Sequence, residues 1–283
     1  MPSFGMAEKY GFPLNDLSGQ AKSYRDSKEC PFTTRLCKKR KGGGVCSITD
    51  GQSYPIVCPE RFKQNQILYE TIVEIAFGRT AKYAVLAEIP FLKSHDQDAN
   101  RSAGNIDNVI VHLNDLDEII DWCALEVQAV YFSGKEMGPE AKAFERTGTL
   151  IEPAQRRPDF RSSGPKRLLP QLEIKVPTLR RWGKKMFVAI DRPFFQWLPT
   201  IKSVEDISNA DICWLSFNLD TSQTPFQLKH DQSVFATLED SREGLVAGYA
   251  PPKHEFEIDI EKAMNAKNKN KNKVIFRGNM PSQ

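Results

Sequence analysis

Asp107, Glu126 and Gln128 are the residues of this chain whose types and spacing could do chemistry. They fall in two segments, 105–111 and 124–132, rich in β-branched and aromatic residues and predicted as strands, with a connection over 113–122 dense in Asn and Asp. Side chains alternate across a strand, so Glu126 and Gln128 share one face while Leu125, Val127 and Ala129 point into the opposite, apolar one. If the two strands pair, two acids and an amide converge. Hard oxygen ligands of that kind suit Mg²⁺, which keeps part of its water shell and can activate one of those waters. The plain alternative is a set of exposed positions on a half-buried hairpin.

The elements that must position these residues follow from periodicity. Residues 60–77 carry Phe62, Ile67, Leu68, Ile72, Val73, Ile75 and Ala76 at mixed three- and four-residue spacing, stopped by Gly78, which predicts one amphipathic helix with Glu70 and Glu74 a turn apart. Residues 83–90 read as a first core strand, ahead of those of Asp107 and Glu126. The stretch 151–170, rich in Pro, Gly and Arg, reads as a loop feeding 171–182, where Leu172, Ile174, Val176 and Leu179 need burial and Lys175, Arg180 and Arg181 face out. Residues 185–191 and 212–219 are predicted buried strands flanking a short helix at 193–198, and 254–260 alternates like a half-exposed strand. An α/β fold results. Residues 265–273 have almost no apolar content and should be disordered, lending at most nonspecific charge.

Four of the six cysteines, Cys30, Cys37, Cys46 and Cys58, lie close together, while Cys123 and Cys213 stand in apolar strand-like contexts. In a reducing compartment such a cluster reads as metal ligation rather than disulfides. The spacings contain no Cys-x-x-Cys knuckle. Zn²⁺ is the default for four thiolates and Fe is also suited; a closed site of this kind is structural. Between the ligands sit Arg35, Lys38, Lys39, Arg40 and Lys41, so a metal there would hold a basic loop able to track phosphates or read guanine.

With 283 residues the chain can bury a sizeable core. Its start has no apolar leader and no 18 apolar residues run together, so a cytoplasmic protein without a membrane span is expected. The net charge of +3 hides a pattern: residues 22–63 and 153–185 are strongly basic, and residues 96–121 are strongly acidic. Two basic segments around an acidic one suit a protein that draws in phosphates while holding a metal, although charged segments also simply solvate a face.

The Asp107, Glu126 and Gln128 constellation resembles the PD-(D/E)XK nuclease core, with Gln128 in place of the usual lysine. Read with the four clustered cysteines and the segment 161–171, it resembles the NotI group of type II restriction endonucleases, with a Glu-x-Gln core and a four-cysteine metal module, over roughly residues 28 to 220. The resemblance implies a PD-(D/E)XK mixed-sheet core flanked by helices, a four-cysteine metal-binding module over 1–63, a catalytic domain over 64–264 and a basic tail over 265–283. It also implies Mg²⁺ at Asp107 and Glu126, Glu74 as a further candidate ligand, iron in the four-cysteine module, and a homodimer on palindromic, GC-rich double-stranded DNA. Arg161, Lys166, Arg167, Arg180 and Arg181 join the basic loop as candidates for contact with DNA. Two other readings remain: a non-catalytic, metal-stabilised DNA-binding protein, and a repair nuclease of the same fold without sequence specificity.

Overall fold

A computed structural model describes residues 3–93, 102–134, 137–148, 155–246, 248 and 250–265. Packing divides the chain into two units, Met1–Ala247 and Gly248–Gln283. The first unit begins with short elements that the sequence did not reveal. Strands β1 (Gly5–Lys9) and β2 (Phe12–Pro13) form a tight hairpin, and α1 (Gly19–Ser27) starts where the Ser18 hydroxyl accepts the N–H of Ala21. Strands β3 (Glu29–Cys30) and β4 (Arg35–Leu36) make a two-stranded ribbon, and β5 (Val45–Thr49) pairs with the free side of β1. Gly11 makes the first turn possible: its φ is +78°, and a Cβ there would come within 2.5 Å of Pro31.

Residues 60–77 are not one helix. A 3₁₀ stretch, Pro59–Gln66, is interrupted at Asn65 and Gln66, both at positive φ, before α2 (Ile67–Phe77) begins. Asn tolerates the left-handed conformation, so the apolar spacing continues across a break in the backbone.

The main sheet follows. It comprises β6 (Lys82–Lys93), β7 (Ser102–Leu113), β8 (Ile119–Val127), β11 (Met186–Asp191), β12 (Ile212–Asp220) and β13 (Gln227–Ala236), in the order β13-β12-β11-β8-β7-β6. Between β8 and β11 the chain forms β9 (Tyr131–Ser133), α3 (Gly138–Thr147), β10 (Arg157–Asp159), α4 (Phe160–Ser163) and α5 (Leu169–Arg181). Pairing is antiparallel from β6 to β8 and parallel from β8 through β11 to β12, with β13 antiparallel at the far edge. At the other edge β6 holds Glu88 at φ +55° and Pro90, and its register shifts twice between Pro90 and Lys93. All six residues of β11 are buried, as a central parallel strand requires.

Helices cover both faces. On one, α5, α6 (Arg192–Trp197) and α7 (Leu238–Val246) bury Leu172, Val176, Leu179, Phe194 and Leu245 against Val188, Ile190 and Trp214. On the other, Leu68, Ile72 and Val73 of α2 pack on Leu125, Phe187 and Leu215. The result is a mixed α/β fold with a central mixed sheet.

Three further expectations are corrected. Residues 124–132 are not one strand: β8 ends at Val127, and Tyr131–Ser133 pairs instead with Arg157–Asp159. The described part of the Pro- and Gly-rich stretch is no loop. Asp159 caps α4 by accepting the Ser162 N–H, and a π-helical turn, Gly164–Leu168, runs into α5. Pro165 and Pro170 fall in first turns, where no intrahelical N–H is needed. Within α5 the faces differ from the expected ones: Ile174 is exposed and Lys175 is buried.

In the second unit, residues 254–260 are not a strand but part of α8 (Lys253–Met264). An isolated strand would leave its ladder unpaired, whereas a helix satisfies its own backbone. Pairs Lys253–Glu257 and Asp259–Lys262 add support at helical spacing. The tail from residue 266 lies outside the described residues.

Candidate active site

The ladder between β7 and β8 stops at Asn108 and Leu125, whereas β8 continues its pairing with β11 as far as Val127 and Ala189. Asp107 and Glu126 stand one step beyond the last β7–β8 pair. There the carboxylates take over from the ladder: Glu126 Oε1 accepts the Asp107 N–H at 3.4 Å, and Asp107 Oδ2 accepts the Val127 N–H at 3.4 Å. Asp107 is exposed and Glu126 is 1% exposed. Burial, and then the nearby Asp107 charge, push the Glu126 carboxyl up to about 7. Strand alternation sends Glu126 to the α5 side of the sheet along with Ala124, away from Leu125.

Sequence reasoning missed one member of this cluster. Lys175 of α5 donates its Nζ to Glu126 Oε1 and to Gln171 Oε1, the latter at 3.1 Å, with its side chain only 7% exposed. The signal was present in the helical period. Leu172, Lys175, Val176 and Leu179 follow the i, i+3, i+4, i+7 spacing of one helix face, whereas a two-residue alternation puts Ile174 inward and Lys175 outward.

Gln128 lies just past β8. Its backbone N–H donates to Ala189 O, and its side-chain amide donates to Ala129 O at 2.6 Å. Glu74 is not brought to this cluster: it stands exposed on α2, on the opposite face of the sheet, paired with Arg79 at 2.6 Å.

All four clustered cysteines are buried free thiols, and all four line one cavity of about 510 Å³ together with Tyr10, Phe32, Lys38, Glu60 and Glu88. Backbone N–H groups aim at three of the sulfurs, from Gly11 to Cys46 at 3.3 Å, from Lys39 to Cys37 and from Glu60 to Cys58. Such bonds favour thiolate over thiol. Against them, burial pushes Cys58 up to about 11 and Cys46 well above its usual range. Among the described residues no three His, Cys, Asp or Glu side chains are grouped closely enough to hold a metal as they stand. Gly44, at φ +69°, lets the chain pass behind the Tyr10 ring that lines this cavity, which a Cβ there would meet at 2.4 Å.

The basic candidates differ in how far they are committed. In the cysteine segment Lys38 pairs with Glu60 at 3.0 Å, Lys39 donates to Val57 O and Arg40 to Cys37 O, while Arg35 and Lys41 are exposed. Arg167 lies over the Tyr131 ring, and Arg180 is held by Asp211 and Glu239. Arg161, Lys166 and Arg181 are exposed. Among the described residues no helix is long and apolar enough to cross a membrane.

Fold and site together define a class: an α/β protein that presents paired carboxylates where two strands of a mixed sheet part. A family model described as Restriction endonuclease NotI matches residues 17–228, well over half of the chain, and the chain belongs to that family. It is a type II site-specific deoxyribonuclease, and its partner is DNA. No curated protein matches the chain.

Proposed function

We propose that this chain makes Mg²⁺-dependent double-strand cuts at a palindromic, GC-rich sequence, with a PD-(D/E)XK core in which Asp107 and Glu126 hold the metal. The observation that carries the reading is the parting of β7 and β8, which leaves an exposed and a buried carboxylate side by side. Two hard oxygen donors suit Mg²⁺, which when bound would polarise the scissile phosphate and lower the pKa of a water. Asp107 offers its oxygen toward solvent, where a DNA backbone can approach. Glu126 is fixed by the Asp107 N–H and by α5, so its carboxylate is oriented in advance. Gln128, a neutral amide, would orient the attacking water or a metal ligand through its carbonyl oxygen, its NH₂ group being engaged by Ala129 O.

The four cysteines would hold one structural Fe or Zn. Their shared cavity and the N–H groups aimed at three sulfurs support this. A metal there would stiffen the segment carrying Arg35, Lys38, Lys39, Arg40 and Lys41 for contact with DNA, alongside Arg161, Lys166, Arg167, Arg180 and Arg181. Two copies of the chain would match the two-fold symmetry of a palindrome, each cutting one strand.

Digesting a large DNA of known sequence with purified protein and Mg²⁺, then mapping the fragment ends, tests the reading. Discrete fragments ending at one palindrome are expected. A smear would favour a nonspecific nuclease, and intact DNA that the protein nonetheless binds would favour a non-catalytic DNA-binding protein.

A further inference from the structure

We propose that Lys175, delivered by α5 rather than by a core strand, is the cationic positioning residue of the phosphodiester-cleaving site and takes the place that Gln128 cannot fill. The inference rests on the assignment of Asp107 and Glu126 as the acidic pair. Their site holds two carboxylates, and a phosphodiester brings a further negative charge to it. Gln128 is neutral, and its NH₂ group donates to Ala129 O. The Nζ of Lys175 lies on Glu126, held from the other side by Gln171 Oε1.

The helix has no packing need for an ammonium at this position. Leu172, Val176 and Leu179 on either side are apolar and buried, so the ammonium at this position answers the buried Glu126 carboxylate rather than the packing of the helix. What the lysine adds is a fixed charge beside the acids. In hydrolysis a water oxygen bonds to phosphorus and one ester P–O bond breaks; one water proton ends on the departing oxygen and the other is released. Negative charge accumulates on the phosphoryl oxygens during that exchange, and an ammonium placed beforehand stabilises it without rearrangement. Gln171, one turn before Lys175 on the same helix, keeps the Nζ in place when the ion pair with Glu126 is loosened.

The test uses single-turnover cleavage of a supercoiled plasmid carrying one mapped site, and binding of a duplex with that site in Ca²⁺. Lys175→Met should cut about 100-fold more slowly or worse, the size expected for one preorganised charge donor, while binding the duplex within about threefold of the parent. Introducing Gln128→Lys into the Lys175→Met background should recover at least about tenfold of the lost rate, because it returns an ammonium to the same carboxylate from the strand side. A merely structural lysine would not be rescued this way. Cleavage by Lys175→Met near the parental rate, a loss of binding as large as the loss of rate, or no recovery in the double variant would each overturn the proposal. Glu126→Ala separates this inference from the reading beneath it. If that variant still cuts, the site itself is misplaced; if it is inert while Lys175→Met cuts normally, only the role of the lysine falls.

Discussion

Arg61 grips Glu8 with both side chains fully shielded from water: its Nε and Nη2 donate to the Glu8 carboxylate at 3.1–3.2 Å. The Glu8 oxygens also accept from Ser47, and Arg61 donates further to Gln64 Oε1 and Phe226 O while its guanidinium lies over the Phe32 ring. This one pair joins the small N-terminal sheet, the 3₁₀ stretch and the approach to β13. Removing Glu8 strands a buried guanidinium, so Glu8→Ala should cost about 3–5 kcal/mol in a denaturant melt. A loss below about 1 kcal/mol would show that water reaches the guanidinium.

Gln128→Lys in the otherwise unchanged chain should reduce cleavage. Lys175 already occupies Glu126, and a second ammonium would press on the first in a buried setting. Plasmid cleavage at several Mg²⁺ concentrations reads this directly. Activity equal to that of the parent would mean that the site tolerates two cations.

Elemental analysis should find about one tightly held Fe or Zn per chain, lost when Cys30, Cys37, Cys46 or Cys58 becomes Ser. Cys123→Ser should leave the metal content unchanged, because Cys123 packs in the apolar layer beside Ile110 and Leu125. Full metal content in both Cys30→Ser and Cys58→Ser would remove the four-thiolate site.

Asp191 supplies a pH signature away from the acidic pair. It caps α6 by accepting the Phe194 N–H at 2.8 Å and also accepts from Ile56, and complete burial pushes its carboxyl up to about 7. A carboxyl raised above its unfolded value holds a proton in the fold that the open chain has already released. Its contribution to stability is therefore full at low pH and falls as pH rises from about 4 to about 7. Asp191→Asn keeps an acceptor for the cap and removes the titration. Melts across that range should show a flatter profile for the variant, and identical slopes would refute the shift.

How much of this was legible in the sequence depended on which period ruled each segment. That Asp107 and Glu126 lie side by side was legible because strand alternation is short and unambiguous, and the runs at Met186–Asp191 and Ile212–Asp220 announced themselves by continuous apolarity. Lys175 was missed because a two-residue reading of 172–176 competes with the helical one, and only tertiary packing chooses between them. The same competition misread residues 254–260. Strand β13 escaped notice because Lys229 to Gln232 are exposed and polar on an edge, and β1 to β5 because strands of two to five residues carry too little pattern. The spacing of the four cysteines suggested one cluster, and they do share a cavity; the backbone N–H groups aimed at their sulfurs depend on turns at Gly11, Lys39 and Glu60 that spacing alone does not encode.

The outer margin of β6 bears on how this protein avoids sticking to itself. A long open strand offers a row of donors and acceptors on which another chain can build, and β6 runs for twelve residues. Pro90 has no N–H to offer, Glu88 turns the backbone out of line, and the slips near Lys93 spoil any regular repeat. The sheet is thereby blunted against growth from molecule to molecule, which guards against fibrous association at high concentration.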